Sequence, residues 1–243
     1  MRQFAANVCT QPVAFVPSRR IVVIGDSHIQ QLAGALVPLT LKYQWQLTFI
    51  LRGACPFSTA SEVYPDDTDC VAWNAAAAEE VGELRPDAVV TLASRDVRTG
   101  LTEQTPAGFV EQWRQMDALG IPVLAIRDNP RFDSSMPDCV QQHGTGATDY
   151  GVPREAVYAT DPPWTQVPDI PANVAFLDIA DAVCDASFCP AVVGNILVYM
   201  DENHLSATYS DTMAAPLEAA IVDALEPSVP ADATRDPGLP PVA

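Results

Sequence analysis

Five short apolar runs, rich in β-branched residues and bounded by turn residues, alternate along the chain with segments of helical periodicity. Such runs are typical of buried parallel strands, because helices cover both faces of a parallel sheet. The runs occupy residues 20–25, 46–51, 88–93, 122–127 and 174–179, and helical patterns occupy 28–43, 71–84, 106–119 and 206–225. The pattern predicts a three-layer α/β/α fold around a five-stranded, mainly parallel sheet.

The length and composition indicate one main domain with two appendages. A chain of 243 residues with 48% apolar content can bury a sizeable core. We expect an N-terminal extension over residues 1–18 that is tied down by Cys9, a catalytic domain over 19–226, and a Pro-rich tail over 227–243. Residues 128–170 are rich in Pro and Asp and show little periodicity, which predicts an excursion over the crevice.

The charge narrows the range of partners. The formal net charge is −18, and a surface this acidic argues against binding to a nucleic-acid backbone or to an anionic membrane. Three histidines are too few and too scattered to complete a zinc site with the cysteines. We therefore expect no metal, no cofactor and no nucleic acid.

Six cysteines, an even number with no C-x-x-C pair, favour disulfides over a metal site. Cys184 and Cys189 flank a short loop and Cys55 and Cys70 bracket a turn-rich stretch, so these pairs are the expected bonds, with Cys9 and Cys139 left for each other. Fifteen pairings exist for six cysteines. The other interpretation is a cytosolic protein with six reduced thiols.

Disulfides require an oxidising compartment and hence export. The N-terminus lacks the apolar segment of a signal peptide, and no run approaches the ~20 apolar residues of a transmembrane helix. Both observations are consistent with a soluble part of a longer protein.

Two motifs at opposite ends of the chain supply a nucleophile, a base and a carboxylate. Gly25-Asp26-Ser27-His28 ends the first predicted strand, and Asp201-Glu202-Asn203-His204 precedes the last predicted helix. A serine hydroxyl needs a neutral imidazole to accept its proton, and the imidazole needs a carboxylate to fix its tautomer. Ser27, His204 and Asp201 are the candidates for these roles.

Each motif has a simpler interpretation. Asp26 and Ser27 also suit the N-terminus of a helix, where such residues cap free backbone N–H groups. His28 is a competing base; a tight turn would direct it into the following helix, so we assign it to the substrate pocket and prefer His204. Finding one of only three histidines in the Asp-x-x-His pattern favours the catalytic interpretation.

The two motifs and Ala54-Cys55-Pro56 carry a resemblance to a known family. The Gly-Asp-Ser and Asp-x-x-His blocks resemble those of the SGNH/GDSL hydrolase superfamily, most closely the extracytoplasmic SGNH domain of acyltransferase-3 family O-acyltransferases, over residues 19–225. The resemblance implies an SGNH-hydrolase-like, flavodoxin-like fold and a serine-dependent mechanism.

The resemblance also suggests where a tetrahedral oxyanion would be held. Backbone N–H groups at Ser27 and His28 face a developing negative charge if a helix starts there. The family's second block places Gly53 in the oxyanion hole, and its third block places Arg95 where the family usually has Asn, and Ala93 where it has Gly. A guanidinium differs in geometry from a carboxamide, so the predicted oxyanion hole is Ser27, Gly53 and Arg95.

Arg127 and Arg131 follow the fourth predicted strand and therefore reach the edge of the sheet where α/β proteins bind ligands. Paired arginines there suit an anionic or polar acceptor. The alternative is a surface loop whose charges have no role in binding.

The expected reaction is acyl transfer through an acyl-Ser27 intermediate. The resemblance implies an extracytoplasmic O-acyltransferase domain, in particular an O-acetyltransferase of the cell envelope, which receives its acyl donor from a membrane acyltransferase domain in the same protein and modifies a cell-surface or cell-wall glycan. Two alternatives remain: an esterase or carbohydrate deacetylase with the same three residues, and a non-catalytic glycan-binding module.

Overall fold

The structure is a computed structural model that describes residues 8–144 and 150–225. Its strands are β1 (Val8–Thr10), β2 (Arg19–Gly25), β3 (Trp45–Leu51), β4 (Ala88–Leu92), β5 (Val123–Ile126), β6 (Gly151–Pro153), β7 (Val174–Leu177), β8 (Phe188–Pro190), β9 (Val192–Val193) and β10 (Ile196–Leu197). Six of them form the central sheet in the order β1-β3-β2-β4-β5-β7. All neighbours in it are parallel except β1, which runs antiparallel to β3.

The helices form a layer on each face of this sheet. They are α1 (Ser27–Gln30), α2 (Ala33–Tyr43), α3 (Thr68–Leu84), α4 (Ala107–Ala118), α5 (Met136–His143), α6 (Arg154–Val157), α7 (Ala180–Val183), α8 (Ala207–Thr212) and α9 (Ala214–Leu225). Helix α2 packs against α8 and α9, and α3 packs against α4. The predicted three-layer α/β/α fold is confirmed.

The central strand of the sheet is β2, which pairs with β3 on one side and with β4 on the other. Its four residues Ile21–Ile24 are at most 2% exposed. Complete burial of one such side chain stabilises the fold by about 1.5–3 kcal/mol. The carboxyl end of β2 is therefore a firmly held point in the molecule.

The expectation of five strands was wrong by one. Residues 8–10 lie in the predicted extension and form the edge strand β1, which pairs with the outer side of β3. A three-residue strand with no buried residue shows no alternation of apolar and polar positions, so its sequence carries no strand pattern. Residues 1–7 of the extension and the predicted tail lie outside the described residues.

Two predicted helices are each divided in two. The segment predicted as one helix over 28–43 turns at Gln31 and Leu32, which separate α1 from α2. The segment over 206–225 is interrupted at Met213, between α8 and α9. Ser206 caps α8, since its hydroxyl oxygen accepts a hydrogen bond from the Tyr209 N–H at 3.1 Å.

The structure contains two of the three expected disulfides, Cys55–Cys70 and Cys184–Cys189. The expected Cys9–Cys139 bond was wrong, and both cysteines are free. Cys9 lies on β1 at one edge of the sheet, whereas Cys139 lies on α5, which follows β5 near the other edge. Pairing by elimination fails here because the sheet separates the two remaining cysteines.

We predict that the double substitution Cys55→Ala/Cys70→Ala lowers the free energy of unfolding by about 2–4 kcal/mol, because the bond restricts the unfolded chain. Denaturant unfolding would measure the loss. Cys9→Ala is the matched control, since this thiol is exposed and unpaired, and it should unfold like the wild type. Equal stability of the double variant and the control would contradict a stabilising role for the bond.

Candidate active site

Ser27 lies at the carboxyl end of β2, where the chain turns sharply into α1. Gly25 adopts a φ of 141°, in the region that favours glycine. Asp26 caps the helix, because its Oδ1 accepts a hydrogen bond from the His28 N–H at 3.0 Å. The turn leaves Ser27 partly exposed, while its neighbours on both sides are buried.

The loop between β10 and α8 brings a histidine and an aspartate to Ser27. His204 Nε2 lies 2.8 Å from Ser27 Oγ, and His204 Nδ1 lies 2.7 Å from Asp201 Oδ2. A carboxylate accepts a hydrogen bond from the Nδ1–H, and this tautomer leaves Nε2 free to accept the proton of the serine hydroxyl. The three residues predicted as nucleophile, base and orienting carboxylate therefore meet in one hydrogen-bonded chain across 177 positions of sequence.

Asp201 also stabilises the conformation of its own loop. Its Oδ1 accepts hydrogen bonds from the backbone N–H groups of Asn203 at 2.8 Å and His204 at 2.7 Å. Partial burial raises the pKa of the Asp201 carboxyl, but these two bonds and the one from His204 outweigh it, and the net effect lowers the pKa. Asp201 is thus a carboxylate at neutral pH.

His28 lies behind this chain of residues rather than in the substrate pocket. It is 2% exposed. Its Nδ1 lies 2.7 Å from Asp128 Oδ1 and its Nε2 lies 2.9 Å from Asn203 Oδ1. Its ring centre is 4.9 Å from that of His204. The prediction that His28 belongs to the substrate pocket is therefore wrong, because a ring this deeply buried cannot contact a substrate.

The pKa values of His28 and Asp128 move in opposite directions. Burial lowers the pKa of His28, but the charge of Asp128 and its hydrogen bond outweigh burial and raise it. Burial raises the pKa of the Asp128 carboxyl, but the positive charges of His28 and Arg131 hold it well below its usual range. Both shifts favour the form of the pair in which His28 is an imidazolium and Asp128 a carboxylate.

The two arginines predicted to bind an anionic ligand are both turned towards internal carboxylates. Arg127 is 2% exposed and donates to Glu103 at 2.6 Å and to Asp178 at 2.8 Å. Arg131 donates to Asp128 Oδ2 at 3.0 Å. The structure therefore does not bring Arg127 or Arg131 to the cavity beside Ser27.

Gly53 and Arg95, predicted for the oxyanion hole, follow the strands on either side of β2. Gly53 is exposed and lies two residues beyond the end of β3, where Arg52 N–H donates to Gly25 O at 3.0 Å. The Arg95 side chain faces two carboxylates, Glu62 at 3.9 Å and Asp96 at 3.4 Å. The His28 N–H, also considered for this role, already donates to Asp26. The Ser27 N–H and the Gly53 backbone remain candidates for the oxyanion hole.

A cavity of about 540 Å³ opens beside Ser27 and His204. Helices α1, α2 and α8 and the loop before α8 line it. The lining residues are Ser27, Gln30, Gln31, Ala33, Gly34, Met200, Asp201, His204, Leu205, Ala207 and Asp211. Among these described residues there are two carboxylates and no lysine or arginine, so the cavity is uncharged or negative throughout.

Gly34 permits the close contact of α2 with α8 that brings Asp211 into the cavity. A Cβ at this position would lie 2.7 Å from Asp211 Oδ1 and 2.6 Å from Ser210 Oγ. These distances are too short for any side chain. A larger residue than Gly34 would therefore push α8, and with it the Asp211 carboxylate, away from α2.

Sequence reasoning missed the polar residues that hold the His204 loop. Asn129 Nδ2 donates to Asn203 O at 2.8 Å, and Leu205 N–H donates to Gln31 Oε1 at 2.5 Å. Asp128 and Asn129 directly follow a strand at the ligand-binding edge, and this position was the available signal.

Residues 8–144 and 150–225 contain no cluster of three or more His, Cys, Asp or Glu arranged to hold a metal ion. None of the helices in these residues has the length and hydropathy that spanning a lipid bilayer requires.

Comparison with known proteins identifies the family of the chain and a solved structure of similar fold. The model of the SGNH domain that is fused to AT3 domains matches residues 3–219. The periplasmic domain of the lipopolysaccharide acetyltransferase of Salmonella ser. Paratyphi A has a similar fold, with a TM-score of 0.62 and 13% identity over 84% of this chain and 83% of that one. No curated protein matches the chain.

We predict that the difference in melting temperature between the wild type and His28→Gln depends on pH. A histidine whose pKa is raised by folding stabilises the protein fully at pH values below its unfolded pKa, and this stabilisation is lost as pH rises through its folded pKa. A carboxyl group whose pKa is lowered by folding stabilises the protein at pH values above its unfolded pKa. The His28–Asp128 contribution is therefore largest between about pH 4 and pH 6.5 and declines at higher pH. The other charged or titratable groups around His28 are Asp26, Arg131 and His204.

Thermal melts from pH 4 to pH 9 would test this expectation. His143→Gln is the matched control, because His143 is exposed and stacks on Tyr150 away from the site. A difference that stays constant or grows with pH would mean that the folded protein holds His28 as a neutral ring.

Proposed function

Because the chain belongs to the family of SGNH domains fused to AT3 domains, we propose that it is an O-acyltransferase domain, in the first place an O-acetyltransferase, that works through an ester on Ser27. One observation carries the proposal: Ser27 Oγ lies 2.8 Å from His204 Nε2, whose other ring nitrogen lies 2.7 Å from Asp201. The fold relative named as a lipopolysaccharide acetyltransferase domain supports the transfer of acetyl groups.

In the first half-reaction Ser27 takes the acyl group from its donor. His204 Nε2 accepts the hydroxyl proton while Ser27 Oγ attacks the carbonyl carbon, and Asp201 stabilises the imidazolium that forms. The tetrahedral intermediate collapses when His204 returns the proton to the leaving group. The products are the departing donor and an ester on Ser27.

In the second half-reaction a sugar hydroxyl takes the place of the donor. His204 Nε2 accepts its proton, the hydroxyl oxygen attacks the ester carbonyl, and Ser27 leaves with the proton that His204 returns. The same geometry hydrolyses the ester when water attacks. Transfer to the sugar therefore requires that the bound acceptor exclude water from the cavity, so that its hydroxyl attacks the ester before water does.

The oxyanion of both tetrahedral intermediates needs hydrogen-bond donors beside Ser27. We assign this role to the Ser27 N–H and to the Gly53 backbone, which lies at the end of the adjacent strand. Arg95 keeps a supporting role through its positive charge at the end of β4, although Glu62 and Asp96 face its guanidinium. Such donors act on the charge that develops in the transition state.

The partner and the location follow from the family. The AT3 domain to which such SGNH domains are fused is the proposed membrane source of the acyl group, in the same full-length protein. Two disulfides suit an oxidising compartment. We therefore place the domain on the extracytoplasmic side of the membrane, where its glycan acceptor is accessible.

The charge of the cavity favours an uncharged acceptor. Asp201 and Asp211 line it without a cation, and the Arg127 and Arg131 side chains bind internal carboxylates. At about 4 Å and an effective dielectric constant near 20, two like charges repel by about 4 kcal/mol. A carboxylated or phosphorylated sugar is thus at a disadvantage, while neutral hydroxyls can donate to Asp211.

We predict that Ser27 is the single site of labelling by a serine-directed phosphonate and of acetylation by an activated acetyl ester. Ser27→Ala should abolish both, and His204→Ala should slow them by roughly 10⁴–10⁶-fold, the scale of losses in other triads. Intact-protein mass spectrometry with peptide mapping measures the adduct. Ser134→Ala, at an exposed serine, is the control and should react like the wild type.

The outcome also separates the alternatives. Absence of any wild-type adduct would support a non-catalytic glycan-binding module. Rapid hydrolysis of the acetyl ester that added oligosaccharides neither slow nor redirect would support an esterase.

We predict that the acetylated protein transfers its acetyl group to a neutral glucoside at least about tenfold faster than to the matching glucuronide, because of the repulsion estimated above. Acceptor-dependent loss of the adduct, followed by mass spectrometry, measures both rates. Asp211→Asn should reduce the ratio. Asp223→Asn, at an exposed carboxylate of α9 that does not line the cavity, should leave it unchanged. Equal rates for both sugars would refute the charge argument.

A further inference from the structure

The proposed mechanism does not use the buried imidazole of His28. His28 is adjacent to the proposed nucleophile, yet its ring faces away from the cavity and contacts Asp128 and Asn203. Both contacts are made through oxygen atoms, a carboxylate Oδ1 and an amide Oδ1. An imidazole that donates to two oxygens carries a proton on each ring nitrogen, so two oxygens facing the ring favour the imidazolium.

The surroundings compensate the positive charge. Asp128 Oδ1 accepts from His28 and from the Asn129 N–H at 3.0 Å, and Asp128 Oδ2 accepts from Arg131. A fully buried carboxylate is costly unless it is paired and hydrogen-bonded. Asp128 has both a paired charge and saturated oxygens, so the His28–Asp128–Arg131 cluster is a stable arrangement of buried charges.

The cluster reaches the proposed base through Asn203. This residue lies directly before His204, and its backbone N–H donates to the carboxylate of Asp201. A hydrogen bond to the Asn203 side chain therefore restrains the backbone between Asp201 and His204. No helix or strand spans Asp201 to His204. Two backbone hydrogen bonds hold this loop, from Phe132 N–H to Glu202 O at 2.7 Å and from Met200 N–H to His204 O at 2.8 Å, and the Asn203 side chain adds a contact on the side where His28 lies.

We propose that His28 is a positioning residue: as an imidazolium bound to Asp128, it holds Asn203 and thereby fixes the 201–205 loop where His204 Nε2 faces Ser27 Oγ. The inference rests on the proposed function only for its effect on rate. In this role His28 acts on the position of the loop and contacts neither the substrate nor the oxyanion. A displacement of about 1 Å in a catalytic group can cost about 10²-fold in rate.

The first test compares His28→Gln with His143→Gln, the matched change at an exposed histidine. Glutamine donates to one oxygen but not to both, so the loop loses one of its contacts. We expect His28→Gln to reduce the maximal rate of Ser27 acetylation by about 10²-fold with little change in the concentration of acetyl ester that gives half of it. The wild-type rate in His28→Gln would overturn the proposal.

The second test changes the acceptor rather than the donor. Asn203→Asp keeps an oxygen facing the ring, whereas Asn203→Leu removes it at similar size. An imidazolium at position 28 predicts that Asn203→Asp retains most of the activity and that Asn203→Leu loses about as much as His28→Gln. Equal loss in both variants would contradict it, and this comparison remains available if His28→Gln does not fold.

Two measurements need no turnover and so separate this inference from the proposed function. Nitrogen-15 NMR at pH 7 should show both ring nitrogens of His28 protonated; an unprotonated nitrogen would overturn the proposal. Hydrogen exchange of the 203–205 amides should accelerate in Asn203→Leu but not in His143→Gln, and unchanged exchange would contradict the role in the loop. If Ser27 cannot be acylated, the proposed function fails, while these two results still decide the role of His28.

Discussion

The central position of β2 is the constraint on which the rest of the site depends. Its residues are buried on both faces and hydrogen-bonded to parallel strands on both sides, so the point where it ends cannot shift without disrupting the core. Gly25 then turns the chain, and a Cβ there would come within 3.1 Å of Ile29 Cγ2. The tight turn and the helix that follows transmit the rigidity of the sheet to Ser27.

The opposite side of the site is held by polar side-chain contacts in addition to backbone hydrogen bonds and to Leu205, which is 1% exposed. The 201–205 loop is fastened by Gln31, Asn129 and His28, three side chains from the ends of β2 and β5. Buried hydrogen bonds and ion pairs are directional, and leaving one partner unsatisfied is costly. They therefore specify one loop position more sharply than the packing of a few apolar side chains would.

The sequence was sufficient for the five parallel strands of the central sheet and for the two motifs because their signals are local. A buried parallel strand is a run of β-branched residues, and Asp-x-x-His can close its own turn. Partners of buried charges carry no such signal: Arg127 and Arg131 looked like ligand contacts because both follow a strand, and only the fold reveals Glu103 and Asp178 beside Arg127. The division of the helix at Gln31 was missed for the same reason, since Gln31 bonds Leu205 across 174 positions of sequence.

The placement of charges links the composition of the chain to its chemistry. With 13 basic and 31 acidic residues, the chain has few cations, and internal carboxylates bind the two arginines closest to the ligand-binding edge. The cavity beside Ser27 is left with carboxylates, amides and apolar side chains such as Met200 and Leu205. This lining suits the hydroxyl groups and apolar faces of the uncharged sugar that we propose as the acceptor. The same arrangement keeps the positive charge of His28 behind the proposed base, where it acts on the loop and not on the substrate.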